Sequence, residues 1–336
     1  MTDEKILEVK DLHTYFYTDA GVVKAVDGID FDLKKGEILG IVGESGSGKS
    51  VTNLSIINLV SHPGKIEKGE VLFHGKDLLK ISDKEIRKIR GNKISMIFQD
   101  PMTSLNPYLK ISDQMMETIM LHQGLNKKDA KKRAIEMLKL AGIPGAEERI
   151  DCYPHQFSGG MRQRVMIAMG LSCDPEILIA DEPTSALDVT IQAQILDLMK
   201  ELTTRLGTAV IMITHSLGVV AGMCDTINVM YAGRVVERSE TKELFKNPKH
   251  PYTQGLIASV PRLDKDTEGR LYSIPGTPPN VIDLPPCCPF YPRCSKAMDI
   301  CKKAYPPKMD FGNNHTCSCW LYSKEAESYQ KKAEDK

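Results

Sequence analysis

The spacing of hydrophobic and polar positions changes period several times along this chain. Residues 5–42 read as strands: ILEVKDLHTYFY and FDLKKGEILGIVG alternate or run apolar, and DAG and KKG break them. GEILGIVG ends in a glycine-rich turn, and a helical pattern follows over Ser50–Leu59. Residues 68–98 return to short strands around the turn in GEVLFHGKDL, then KISMIFQ. From about residue 105 to 172 the pattern is mostly helical, with apolar residues at intervals of three and four in DAKKRAIEMLKLAGI. PEILIADEP and TAVIMITHS are continuous apolar runs and predict buried strands; helices are expected after each, the second in VAGMC. Apolar strands alternating with helices predict an α/β protein with a parallel sheet. Beyond about residue 240 the period is lost. Residues 247–292 are proline-rich, and the tail KEAESYQKKAEDK is charged, as expected of a solvated helix or a disordered end.

Composition narrows the function classes. The chain has 336 residues, enough for two domains or one large domain with an appendage. Hydrophobic content is 41% and charged content 26%, an ordinary globular balance with ample material for a core. Forty-four basic and 44 acidic residues cancel, so the basic footprint of a nucleic-acid binder is absent and no nucleic-acid partner is expected. MTDEKILEVKDL has no apolar core, so no signal peptide is expected, and no uncharged apolar run reaches the roughly 20 residues that span a bilayer.

Three segments carry chemistry. GESGSGKS, Gly43 to Ser50, fits G-x-x-x-x-G-K-[ST] and lies between an expected strand and an expected helix. Its glycines let backbone N–H groups curl around an anion, and the helix N-terminus adds its dipole. Lys49 is expected to reach the β- and γ-phosphates of a nucleotide, and the Ser50 hydroxyl to ligate Mg²⁺. ILIADEP puts Asp181 and Glu182 at the C-terminal end of an apolar strand, the edge where ligands of open α/β sheets bind. Adjacent residues on a strand point opposite ways, so one carboxylate can hold Mg²⁺ and the other can orient and deprotonate a water. His215 sits at the end of a second such strand, placed to reach a γ-phosphate and the attacking water.

Six of nine cysteines fall in the last fifty residues, four of them in CCPFYPRCSKAMDIC and two in HTCSCW. In a cytosolic chain such clustering points to metal or redox chemistry more than to disulfides. Cys288, Cys294, Cys301 and Cys319 are separated by five, six and seventeen residues, without the C-x-x-C knuckles of zinc ribbons. This spacing leaves a zinc site, an iron–sulfur site or surplus thiols open. Cys152, Cys173 and Cys224 stand singly near expected helices and read as small core residues.

The motif set resembles the ATP-binding-cassette (ABC) ATPases. FSGGMRQR, Phe157 to Arg164, is similar to that family's LSGGQ signature; Phe157 and Met161 depart from the general form and leave Ser158, Gly159 and Gly160 intact. The order is also the family's: P-loop, Gln99 in IFQDP, signature, ILIADEP, SALD at 185–188, then His215. Ser216 stands where many relatives carry Asp. The resemblance implies an α/β P-loop cassette: a mixed, largely parallel sheet core, an antiparallel β subdomain and a helical subdomain. It implies a head-to-tail dimer in which ATP lies between one subunit's P-loop and the other's signature. Gly43, Ser45, Gly46, Gly48, Lys49, Ser50 and Val51 would then hold ATP and Phe16 would stack on adenine, with Tyr15 or Tyr17 as alternatives. Ser158, Gly159 and Gly160 would act on the partner's ATP, and Asp188 would cross the interface. Ser50, Gln99 and Asp181 would hold Mg²⁺, with Glu182 as general base.

DPMTSLNP, YPHQFSGGMRQRVMIAM, VMYAGRVVE, NPKHPYTQGLI and IPGTPPN further resemble the ATPases of dipeptide and oligopeptide importers, of the D type. That branch implies a cassette over 1–240, with its helical subdomain over about 100–172, and an irregular extension over 241–336. It also implies a related second ATPase as heterodimer partner, two integral membrane permease subunits, an external peptide-binding protein acting indirectly, and a peripheral location on the cytoplasmic membrane face. Nickel and glutathione importers share most of these features. A soluble ABC ATPase and a metal- or redox-sensing regulator are the other readings; the first lacks the coiled-coil insertion or second cassette it would carry. CPFYPRCSKAMDIC with HTCSCW resembles the branch's iron–sulfur motif. The resemblance implies a [4Fe–4S] cluster on Cys288, Cys294, Cys301 and Cys319, with a structural role. Cys287 and Cys317 are then spares, Cys317 the nearer substitute. Arg293 would offset cluster charge or lie solvated.

Overall fold

The structure, a computed structural model, describes residues 4–99, 104–184, 187–260, 272–282 and 284–326. Asp100 to Thr103 of DPMTSLNP, Ser185 and Ala186 of SALD, and most of the charged tail lie outside the described residues. The strands are β1 (Lys5–Thr18), β2 (Gly21–Lys34), β3 (Ile38–Val42), β4 (Gly64–Phe73), β5 (Lys76–Asp77) and β6 (Ile94–Ile97). They continue with β7 (Ile177–Asp181), β8 (Ala209–Thr214), β9 (Thr226–Tyr231), β10 (Arg234–Glu240), β11 (Lys308–Asp310) and β12 (Thr316–Ser318). The helices are α1 (Lys49–Ile56), α2 (Asp83–Ile89), α3 (Ile111–Gln123), α4 (Lys127–Leu140) and α5 (Ala146–Arg149). After these come α6 (Gly159–Leu171), α7 (Val189–Leu206), α8 (Leu217–Met223), α9 (Thr241–Lys246) and α10 (Pro251–Ala258). Two compact units divide the chain out of order: Met1–Leu7, Leu33–Ile38 and Phe73–Ile213 form the first, and Glu8–Asp32, Leu39–Leu72 and Thr214–Lys336 the second.

In the first unit β6, β7 and β8 pair in parallel, with Ile97 opposite Ala180 and Asp181 opposite Ile213. Every residue of β7 and β8 is buried. This is what a continuous apolar run requires when both faces of a parallel strand are covered. Helix α6 buries Val165, Ile167, Ala168 and Leu171, and its Gly170 lies against Ile97 and Leu178. The helical stretch from 105 resolves into α3 to α6, with Gly124 in left-handed conformation closing α3. The sequence reading missed α2, where it expected only strands and a turn. The capping box of Ser82 with Glu85 is the local signal that marks its start.

In the second unit β1 and β2 form a hairpin across Asp19 and Ala20, and β4 lies beside β1. Strand β3 pairs parallel with β9, and β9 turns into antiparallel β10 through Ala232 and Gly233, at φ 47° and 78°. That left-handed pair suits a two-residue hairpin. The proline-rich extension does more than lie across a surface. Its β12 pairs antiparallel with β10, Glu237 opposite Cys317, and β11 pairs with β12. These strands have three residues each. They are too short to print a period on the sequence, and the edge of β10 recruits them.

Candidate nucleotide site

In the second unit the buried strand β3 delivers the chain into the P-loop, and α1 starts at Lys49. Gly48 sits at φ 100°, and a Cβ there would run into the Ala25 carbonyl, so the position accepts only glycine. Lys49 is buried to 6% exposure and its Nζ donates to the carbonyls of Gly43, at 2.8 Å, and Glu44, at 3.0 Å. The turn after β9 braces the loop, with Gly233 N–H on the Ser47 carbonyl at 2.9 Å. Ser45, Gly46 and Ser50 are exposed, while Gly43 is buried and Val51 half-buried. On β1, Phe16 packs beside Gly64. The other aromatic candidates are engaged by their hydroxyls: Tyr15 donates to Asp27 at 2.7 Å, beneath the Lys24 ammonium, and Tyr17 to Glu67 at 2.8 Å. His215 is exposed just past β8. Ser216 caps α8 by accepting from Val219 N–H at 3.5 Å, which gives the departure from Asp a structural job that either side chain can do.

In the first unit Asp181 ends β7 at 5% exposure. Glu182 follows at φ 45°, a left-handed conformation that costs a residue with a Cβ. Its N–H donates to the Ile213 carbonyl at 2.9 Å, which holds it in place. Gln99, just beyond β6, donates through Nε2 to Glu182 Oε2 at 2.9 Å. Two residues 83 apart in sequence are thus brought side by side. Ser158 caps α6 and accepts from Met161 N–H at 3.4 Å. Ser158 and Gly159 are exposed at this helix start, while Gly160 presses on Ile191 of α7. Phe157 is 3% exposed, so this departure from the signature serves as an apolar anchor. Asp188 caps α7 through Ile191 N–H at 3.0 Å. The donors named for a metal, a serine hydroxyl, an amide oxygen and a carboxylate, are the hard oxygen set that Mg²⁺ takes.

The cysteine-rich lobe belongs to the second unit. Ile300, Cys301 and Trp320 form a small core, with Cys288, Tyr291, Met298 and Ala304 packed on it. Trp320 donates from its indole to the Ala304 carbonyl at 3.0 Å, and Cys288 N–H to the Cys301 carbonyl at 3.0 Å. Each of Cys288, Cys294, Cys301 and Cys319 lies near enough to the other three for their charges to interact. Burial pushes the Cys288 and Cys319 thiols up to about 12, and raises Cys294. Among the described residues no group of three or more His, Cys, Asp or Glu side chains is arranged to hold a metal ion. For Cys288, Cys294 and Cys319 burial, which disfavours the charged thiolate, outweighs the backbone hydrogen bonds that favour it. Cys317 lies on β12 at 1% exposure, and Cys287 lines a cleft of about 250 Å³ with Lys24, Asp27 and Arg234. Arg293 is not solvated: its side chain is 5% exposed and paired with Glu44 at 2.6 Å.

The fold, the Gln99–Glu182 pair and the capped signature helix together define an ABC cassette, and solved structures agree. The chain is similar to the ATP-binding cassette MJ0796 in its dimeric post-hydrolysis state with ADP and Pi, at 30% identity and TM-score 0.63, covering 70% of this chain and 98% of that one. It is also similar to cbiO1 from Clostridium perfringens, at 31% identity and TM-score 0.62, covering 73% of this chain and 92% of that one. The ABC transporter family model matches residues 26–185, and the model of the oligopeptide/dipeptide transporter C-terminal region matches 236–301. The dipeptide transport ATP-binding protein DppD of Bacillus subtilis is 54% identical over 96% of this chain and 97% of its own length. The oligopeptide transport ATP-binding protein OppD of Haemophilus influenzae is 52% identical over 94% and 97%. The chain belongs to the dipeptide and oligopeptide transport ATP-binding proteins of the ABC transporter family.

Proposed function

We propose that this chain is the ATP-hydrolysing subunit that powers an importer of dipeptides and oligopeptides. The observation that carries this reading is similarity along nearly the whole chain to dipeptide and oligopeptide transport ATP-binding proteins. Lys49 and Ser50, with Gly43, Ser45, Gly46, Gly48 and Val51, take the nucleotide phosphates, and Phe16 takes the base. Asp181, Ser50 and Gln99 hold Mg²⁺, Glu182 deprotonates the attacking water, and His215 contacts the γ-phosphate. Ser158, Gly159 and Gly160 act on ATP held by a related second ATPase. This arrangement is supported by the exposed serine and glycine that open α6, and by the Gln99 amide on the Glu182 carboxylate.

Two permease subunits anchor the pair at the cytoplasmic membrane face, and an external binding protein supplies the peptide. Among the described residues no helix is long and apolar enough to cross a membrane, which is compatible with anchoring by such subunits. The cassette occupies 1–240 and the extension 241–336, a division supported by the C-terminal model's start at residue 236. Deleting the gene should abolish uptake of labelled dipeptides and oligopeptides, and the Glu182→Gln variant should fail to restore it. Intact peptide uptake with lost nickel or glutathione uptake would overturn the cargo assignment.

Cys288, Cys294, Cys301 and Cys319 hold a [4Fe–4S] cluster with a structural role in this reading. Their mutual proximity around the Trp320 core supports it, since a cubane takes one thiolate per iron. Loading would replace four protons with a cationic cluster and add metal–thiolate bonds to a lobe with a small core. Chain purified without oxygen should carry about four irons and matching sulfide. Stoichiometric zinc, or no metal, would remove this part of the reading.

A further inference from the structure

The P-loop residue Glu44 is gripped by the cysteine-rich extension. Its carboxylate accepts from both terminal nitrogens of Arg293, at 2.6 and 3.0 Å, and its backbone N–H donates to the Tyr252 hydroxyl at 2.9 Å. Its carbonyl accepts from Lys49 Nζ at 3.0 Å. One residue of the loop therefore connects the phosphate-binding lysine to two side chains more than 200 positions away.

Arg293 is built to hold this post. All its N–H groups find acceptors: Nε donates to the Pro275 carbonyl at 3.0 Å, Nη1 to Glu44 and the Tyr231 hydroxyl, and Nη2 to Glu44 and the Ile274 carbonyl. A guanidinium satisfied at every donor has one orientation, and a planar fork on a carboxylate fixes that carboxylate in turn. The ring of Phe290 packs edge-on against Tyr231 and tilted against Tyr252, with centroids 5.3 and 5.4 Å apart, so both ends of the grip share one aromatic floor. Glu44 also brings a negative charge to a loop that receives a polyanion, and Arg293 cancels that charge where it stands.

We propose that Arg293 is a positioning residue for nucleotide binding, acting through Glu44 to set the P-loop and Lys49, so that the extension is a working part of the nucleotide site. This rests on the P-loop reading above. Arg293 also lies between Cys288 and Cys294, so order in the cysteine lobe is transmitted to the P-loop along a single, fully bonded side chain.

The test is ATP affinity of the full chain, measured by competition with a fluorescent ATP analogue in the presence of Mg²⁺, alongside thermal unfolding without nucleotide. Arg293→Met should weaken ATP binding about tenfold, the equivalent of one charge-assisted hydrogen-bonded pair. Arg293→Lys should recover little, because an ammonium cannot make the forked contact. Glu44→Gln removes the same pair from the loop side with little change in shape, and serves if Arg293→Met does not fold. The double variant should bind no more weakly than the weaker single. Affinity within about twofold of wild type in Arg293→Met and Glu44→Gln, with only the melting temperature lowered, would overturn the proposal. Additive losses in the double variant would overturn it too, since the two residues would not act through each other. Lys49→Ala separates the two claims: if it binds ATP like wild type the P-loop reading itself has failed, whereas a loss there with unaffected Arg293 and Glu44 variants rejects the clamp alone.

Discussion

At the scale of the residue, the proposed general base is Glu182. Its left-handed backbone is held by the Ile213 carbonyl, and its carboxylate already carries one hydrogen bond from Gln99. A general base needs such fixed aim more than it needs depth. Glu182→Gln keeps the size and loses the proton acceptor. Steady-state phosphate release should fall by about 10²-fold or more, with ATP affinity retained. Equal loss of affinity and turnover would move Glu182 from base to binding residue.

At the scale of the element, the extension is fastened to β10 by one buried carboxylate. Glu237, 1% exposed, accepts from Lys249 N–H at 2.6 Å, His250 N–H at 2.9 Å and the His315 ring at 2.8 Å. Glu237→Ala would strand all three donors and should cost about 3 kcal/mol in urea unfolding. Next to it, His250 starts α10 with Nδ1 accepting from Tyr252 N–H at 3.1 Å, which requires a neutral ring. Burial holds its pKa down at about 4, against 6.5 for the free side chain. Below the unfolded value, protons bind the unfolded chain first. Stability from this group is therefore full above about pH 6.5 and is lost as pH falls toward 4, by about 3 kcal/mol in all. Unfolding of wild type and His250→Asn at pH 7 and pH 4.5 should show that loss only in wild type.

At the scale of the whole molecule, the extension protects as well as clamps. Strand β12 covers the outer edge of β10, and the partners of Glu237 come from residues beyond 248. A chain truncated after Lys246 would expose that edge together with an uncompensated buried carboxylate. Such an edge recruits other chains. The truncated protein should elute as aggregate in size-exclusion chromatography, while the full chain does not. A soluble truncation that binds ATP normally would show the cassette to be self-sufficient.

The motifs were legible because each is a local device. A P-loop needs its glycines, lysine and serine at consecutive positions, since one turn of backbone must wrap one phosphate. Strands β7 and β8 were legible because burial on both faces demands an unbroken apolar run. Helix α2 was overlooked although its capping box is written at Ser82 and Glu85, because its seven residues bury only Ile86 and show no period. The cysteines could be counted and spaced from the sequence, but their spacing left a zinc site, an iron–sulfur site and surplus thiols open, and among the described residues no group of them is arranged to hold a metal ion. By itself the sequence determined the cassette, its nucleotide chemistry and its importer branch, all properties of contiguous segments in a given order. Only the tertiary structure decided what Arg293 does. Its partner lies 249 residues away, and the pairing of two charges at that separation depends on where β9, β10 and the extension bring the chain back to the P-loop. No local pattern records such a distance, because the free energy that selects it comes from burial and hydrogen bonding in the finished fold.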